Sequence, residues 1–141
     1  MEPGLWARLH GAVIHFPIAL SFFTVLCDTA ALLWRSRSAA RRLLAAGGYA
    51  LYLAALGSIP SVFSGLVITR GEMWGHDALR WHHLFVWPAW GLLIALAVWR
   101  ALRREPPTRH EHAVSLAGIW VMAVLMGYAG HWGGLLTQSY P

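Results

Sequence analysis

Four stretches of this chain hold almost no charge: residues 11–34, broken only by Asp28, then 43–69, 81–99 and 113–136. A helix rises ~1.5 Å per residue and a hydrocarbon core is ~30 Å thick, so each stretch reaches the roughly 20 residues that a crossing needs. Nothing constrains the fold more. The 141 residues are 57% hydrophobic and 12% charged, a balance that suits a bilayer and not a water-soluble globule. The expected architecture is all-α: a transmembrane four-helix bundle, up-down-up-down, in one membrane domain over 1–141. Its spans are expected at about 11–34, 43–69, 81–103 and 113–136. Nothing around the first span resembles a cleavable signal peptide, so that helix is expected to stay.

All eleven basic side chains are arginines, and they fall in the connections. Arg35, Arg37, Arg41 and Arg42 lie in the first, and Arg100, Arg103, Arg104 and Arg109 in the third. The second has only Arg70 and Arg80, and the N-terminus only Arg8. The positive-inside rule turns the first and third loops to the cytoplasm and both termini outward. The expected location is the bacterial inner membrane, multi-pass, with the termini periplasmic. Topology accounts for the basic charge, so no nucleic-acid partner is expected. The expected partner is the lipid itself, and the glycine-rich helices would allow a homo-oligomer. Trp6, Trp74, Trp81 and Trp132 fall near the outer boundary and Trp34 and Trp99 near the inner one, as an aromatic belt requires.

Chemistry in such a chain rests on its eight histidines. Counted down from the helix edges, His15, His83 and His131 lie roughly 5–7 Å below the outer boundary on three different helices. His10, His76 and His82 sit just above them. His110 and His112 fall in a cytoplasmic loop, where solvation is expected. Titratable rings inside a membrane usually face the bundle interior and mark sites. With one cysteine, Cys27, and no thiolate framework, imidazole is the available ligand for haem iron, copper or zinc.

Two readings of the ligand set stay open. Haem b needs one or two axial imidazoles, small residues for clearance, and cations for its propionates. His15 and His83 are the first expected pair, with His131 and His10 as the next. Gly57, Ser61 and Gly65 on the second helix either pack a neighbour closely or clear room for a flat ring. Arg8, Arg70 and Arg80 are the outer cations. Copper or zinc would draw several of His10, His15, His76, His82, His83 and His131 to one point, with Met73 or Met126 joining for copper. Adjacent His82 and His83 point about 100° apart and His10 and His15 about 140° apart, which favours single ligands from separate helices. Asp28 is expected to pair with Arg41 or Arg42 near the inner boundary.

The segments "LHGAVIHFPIAL", "RWHHL" and "AGHWGGLL" resemble the bacterial membrane family known as domain of unknown function 2231, over nearly the whole chain. The matching positions are His10, His15, Pro17, one of His82 or His83, His131 and the glycines at 130, 133 and 134. The resemblance implies a four-helix membrane protein that keeps company with cytochrome c, cytochrome b5-like or Rieske modules, hence electron transfer. Many relatives continue with a further tyrosine and histidine where this chain reads "LLTQSYP". The expectation is therefore a b-type cytochrome-like protein, an electron-transfer subunit if it serves an enzyme, linking a quinone pool to a periplasmic redox partner. The rivals are copper or zinc transport and a non-catalytic anchor or assembly subunit of a redox complex.

Overall fold

The computed structural model describes residues 4–34, 37–103 and 107–139, with side chains through 136. Arg35, Arg104 and the last two residues of the closing segment lie outside the described residues. The described chain is four helices: α1 (Leu5–Leu33), α2 (Arg37–Ile68), α3 (Asp77–Leu102) and α4 (Arg109–Ser139). All four are long and apolar enough to cross a membrane. Each helix starts four to six residues before the apolar window that announced it, because backbone hydrogen bonding continues after the side chains turn polar. The bundle is all-helical with alternating direction, as expected.

α1 packs most extensively on α2, and α3 on α4, while the α1–α4 and α2–α3 seams are narrower. Two tight hairpins therefore lie side by side. The apolar core joins them where every helix contributes: Val25, Leu51, Ala54, Leu93, Ala97, Ile119, Met122 and Ala123. Equally large apolar side chains, such as Leu26, Ile59 and Val121, remain exposed on the outside. Helices that are apolar all round suit lipid as their outer solvent.

This core fills the middle of the bundle and gives way to polar groups on both sides. Toward the termini the buried face of α2 reads Ser58, Ser61 and Ser64. Their hydroxyls donate to the α2 main chain, Ser58 to Ala55 O at 2.6 Å and Ser61 to Gly57 O at 3.2 Å. Toward the opposite end Ser21, Thr24 and Asp28 form the buried face of α1.

The loop between α2 and α3 is built by a helix-ending motif. Gly71 N–H donates to Leu66 O at 2.8 Å and Arg70 N–H to Val67 O at 3.2 Å, with Arg70 in the left-handed region at φ 53°. This is the Schellman arrangement, in which the position taken by Arg70 usually holds glycine. At the other end of the bundle Thr108 and Glu111 cap α4 reciprocally: Thr108 N–H donates to Glu111 Oε2 at 2.8 Å and Glu111 N–H to Thr108 Oγ1 at 3.3 Å.

Candidate functional site

Two polar clusters flank the core. At the termini end, His10 of α1 reaches across to α2, and its Nδ1 lies 3.0 Å from both Ser61 O and Ser64 Oγ. His82 of α3 reaches across to α4, with Nδ1 2.8 Å from Ala129 O. A carbonyl oxygen only accepts, so in each ring Nδ1 carries the proton and Nε2 is left as a bare lone pair. Ser64 already donates its proton to Ser61 O at 3.0 Å, so its oxygen also accepts from His10.

The two anchors are built alike. In each hairpin, the glycine four residues beyond the accepting carbonyl opens the helix surface to the ring. A Cβ on Gly65 would stand 3.2 Å from His10 Cε1, and one on Gly133 would stand 3.3 Å from His82 Nδ1. Four residues along a helix return to nearly the same face, so these are the positions whose side chains would cover that carbonyl. Ser61 with Gly65 and Ala129 with Gly133 are therefore equivalent sockets on α2 and α4.

His83 is buried beside them, with its ring centroid 5.7 Å from those of both His82 and Trp87. Its Nδ1 has no hydrogen-bond partner among the described residues. His15 and His131, expected to share an inward level with it, instead lie on exposed faces of α1 and α4. Residue counting addresses position along the helix and leaves direction open. His131 borders an open groove of about 370 Å³ with Val124, Gly127 and Tyr128. His76 is exposed on the loop, 3.9 Å from Glu72. Met126 packs against the apolar core, and Met73 offers its carbonyl to Trp87 Nε1 at 2.8 Å. Arg8 and Arg70 are exposed at the termini end, whereas Arg80 lines a separate cleft on the outside of α3. Among the described residues no three His, Cys, Asp or Glu side chains gather as a metal site would require.

These groups suit a bis-imidazole haem at the level of two ligands and their supports. Both rings are fixed in the tautomer that ligates through Nε2 and are seated on glycine. Fixing the ring through the other nitrogen is how ligating histidines are oriented.

At the opposite end the structure corrects two expectations. Asp28 pairs not with Arg41 or Arg42, which are exposed, but with Arg100 of α3. Nη1 lies 2.9 Å from Oδ2, and Nη2 3.2 Å from Oδ1. The same Nη2 donates to Leu44 O at 3.3 Å. His112, expected in solvent, is buried at 6% exposure, with Nε2 unpartnered among the described residues. α4 begins before the apolar window does, so His112 falls in its first turn and faces inward. Gly47 and Gly48 seat the ion pair: a Cβ on Gly47 would overlap Asp28 Oδ1, and one on Gly48 would stand 3.5 Å from Arg100 Nε. The sequence signal for this cluster was Asp28 inside the first apolar stretch and Arg100 directly after the third, which does not name the partner.

A family model described as "Predicted membrane protein (DUF2231)" matches residues 7–141. No curated protein matches the chain, and no solved structure does.

Proposed function

For a chain that belongs to the family of predicted membrane proteins DUF2231, we propose a b-type cytochrome-like role, with haem b held between His10 of α1 and His82 of α3. The observation that carries this reading is the duplicated anchor: each ring gives Nδ1–H to a carbonyl of its hairpin partner and keeps Nε2 for a ligand. Two imidazoles from separate helices would supply ligands of the kind that haem iron takes. In this reading His10 and His82 are placed ahead of the expected first pair, His15 and His83, because His15 is exposed and the Nδ1 of His83 has no hydrogen-bond partner among the described residues.

Within this reading the chain's own residues bind and orient. Ser61 O and Ala129 O hold the two rings, Gly65 and Gly133 let the rings approach, and Arg8 and Arg70 serve the propionates at the rim. The core around Leu51, Leu93, Ile119 and Met122 keeps water and ions from passing through the bundle. Haem, when bound, supplies one-electron exchange. The proposed setting is the bacterial inner membrane with this end toward the periplasm, following the arginine asymmetry. Electrons would pass between a membrane quinol and a periplasmic redox protein.

The test is a reduced-minus-oxidised absorption spectrum of the purified protein after expression with haem supplementation. A Soret and α band that survive His15→Ala and His131→Ala but vanish in His10→Ala and His82→Ala are the expected result. A wild-type preparation without a Soret band ends the proposal, and elemental analysis showing copper or zinc in its place would support the metal-handling rival.

A further inference from the structure

On the outer face of α3, away from the two rings, Trp74, Asp77, Arg80, Trp81 and Leu84 line a cleft of about 390 Å³. That lies within the roughly 300–1,000 Å³ range of small-molecule sites. The cleft sits in the first two turns of a helix long and apolar enough to cross a membrane, beside the loop, and so at a boundary between lipid and water. Its wall is braced: the Trp81 indole stacks on Trp132 at 5.8 Å and on Phe85 at 6.4 Å. The loop carrying Trp74 is tied down by the Trp87 bond to Met73 O.

The chemistry of the lining is specific. Asp77 and Arg80 bring one charge of each sign to the same cleft, one turn apart, and no ion pair joins them among the described residues. Both are exposed. A ligand that satisfies both must itself carry a cation and an anion a few ångströms apart. The indoles of Trp74 and Trp81 add aromatic surface to the same cleft. Leu84, exposed at the lower end of the cleft, continues the lining onto the lipid-facing side of α3, where an acyl chain would lie.

We propose that this cleft binds the headgroup of a zwitterionic phospholipid bearing a primary amine, a phosphoethanolamine lipid. Its phosphate pairs with Arg80, and its ammonium donates to the Asp77 carboxylate between the indoles. A quaternary choline has no N–H to donate to Asp77, and an anionic glycerol headgroup brings no cation and meets the carboxylate as a like charge. The selectivity therefore resides in Asp77, and the general phosphate affinity in Arg80.

The experiment is native mass spectrometry of the full chain, delipidated in detergent and offered equal amounts of phosphatidylethanolamine, phosphatidylcholine and phosphatidylglycerol. Wild type is expected to retain phosphatidylethanolamine about fivefold over the other two, a modest difference typical of one added charge-assisted contact. Asp77→Asn lowers it to the phosphatidylcholine level and leaves phosphatidylcholine unchanged. Arg80→Gln lowers all three lipids together, and unchanged far-ultraviolet helicity verifies that each variant is folded. Equal retention of the three lipids by wild type, or an Asp77→Asn loss shared equally by phosphatidylcholine, overturns the proposal. Neither result depends on haem, so this test and the absorption spectrum fail separately.

Discussion

Replacing Arg100 by methionine keeps most of the side-chain volume and removes the only guanidinium that reaches Asp28 among the described residues. Asp28 is 0% exposed, so its charge has no water to turn to. Removing one partner of a buried pair typically costs about 3–5 kcal/mol, and the two-point contact at 2.9 and 3.2 Å puts this pair in that range. Against a total stability of about 5–15 kcal/mol for a domain of ordinary size, such a loss is severe. It corresponds to a drop of roughly two to three and a half orders of magnitude in the folding equilibrium.

The reverse change, Asp28→Asn, should cost less, about 1–2 kcal/mol. The Arg100 side chain keeps 15% exposure, and its long stem can carry the unpaired head toward the boundary. The double variant should recover at least about 2 kcal/mol relative to the sum of the single changes, since it leaves no stranded charge. Unfolding in mixed micelles against the mole fraction of dodecyl sulfate, followed by far-ultraviolet circular dichroism, measures all three. An Arg100→Met variant within about 1 kcal/mol of wild type, or strictly additive single costs, would refute the reasoning, for both require a pair that is screened by solvent.

Four further outcomes are expected. Gly47→Ala should destabilise by about 1–3 kcal/mol in the same titration, because its Cβ overlaps the enclosed Asp28 carboxylate. Gly91→Ala is the contrast, since nothing stands within 4 Å of its Cβ; it should be neutral or stabilising by up to about 1 kcal/mol through helix propensity. Arg70→Gly should raise stability by about 1 kcal/mol by relieving a left-handed backbone at φ 53°, read as a shifted unfolding midpoint. Gly65→Ala and Gly133→Ala each crowd an imidazole at 3.2–3.3 Å. Under the haem proposal they should lower Soret absorbance per protein while helicity stays unchanged.

How much of this was legible beforehand divides along a geometric line. Asp28 was readable as a charge inside an apolar stretch and Arg100 as one at the edge of the third, and the arginine-poor second loop as a connection of its own. The pairing of Asp28 with Arg100, and not with Arg41 or Arg42, was not readable, because the choice depends on which face of α3 turns inward. His112 was misplaced for a related reason. Hydropathy marks where apolar side chains start, whereas the capped helix begins at Arg109 and folds His112 into the bundle. Ser61 and Gly65 were visible as small residues in the second span. Their service to His10 required knowing that α1 and α2 pack at that register.

What the sequence by itself determined is position along each helix axis. The number of spans and their alternation follow from counting residues at a constant rise, since lipid thickness and helix pitch are fixed quantities. What only the tertiary structure decided is rotation about those axes. In a water-soluble helix the polar face announces the outside, but these helices are apolar on every side and lipid accepts any of them. Which ring turns inward was therefore settled by contacts between helices: a carbonyl exposed above a glycine for His10 and His82, and a buried guanidinium for Asp28.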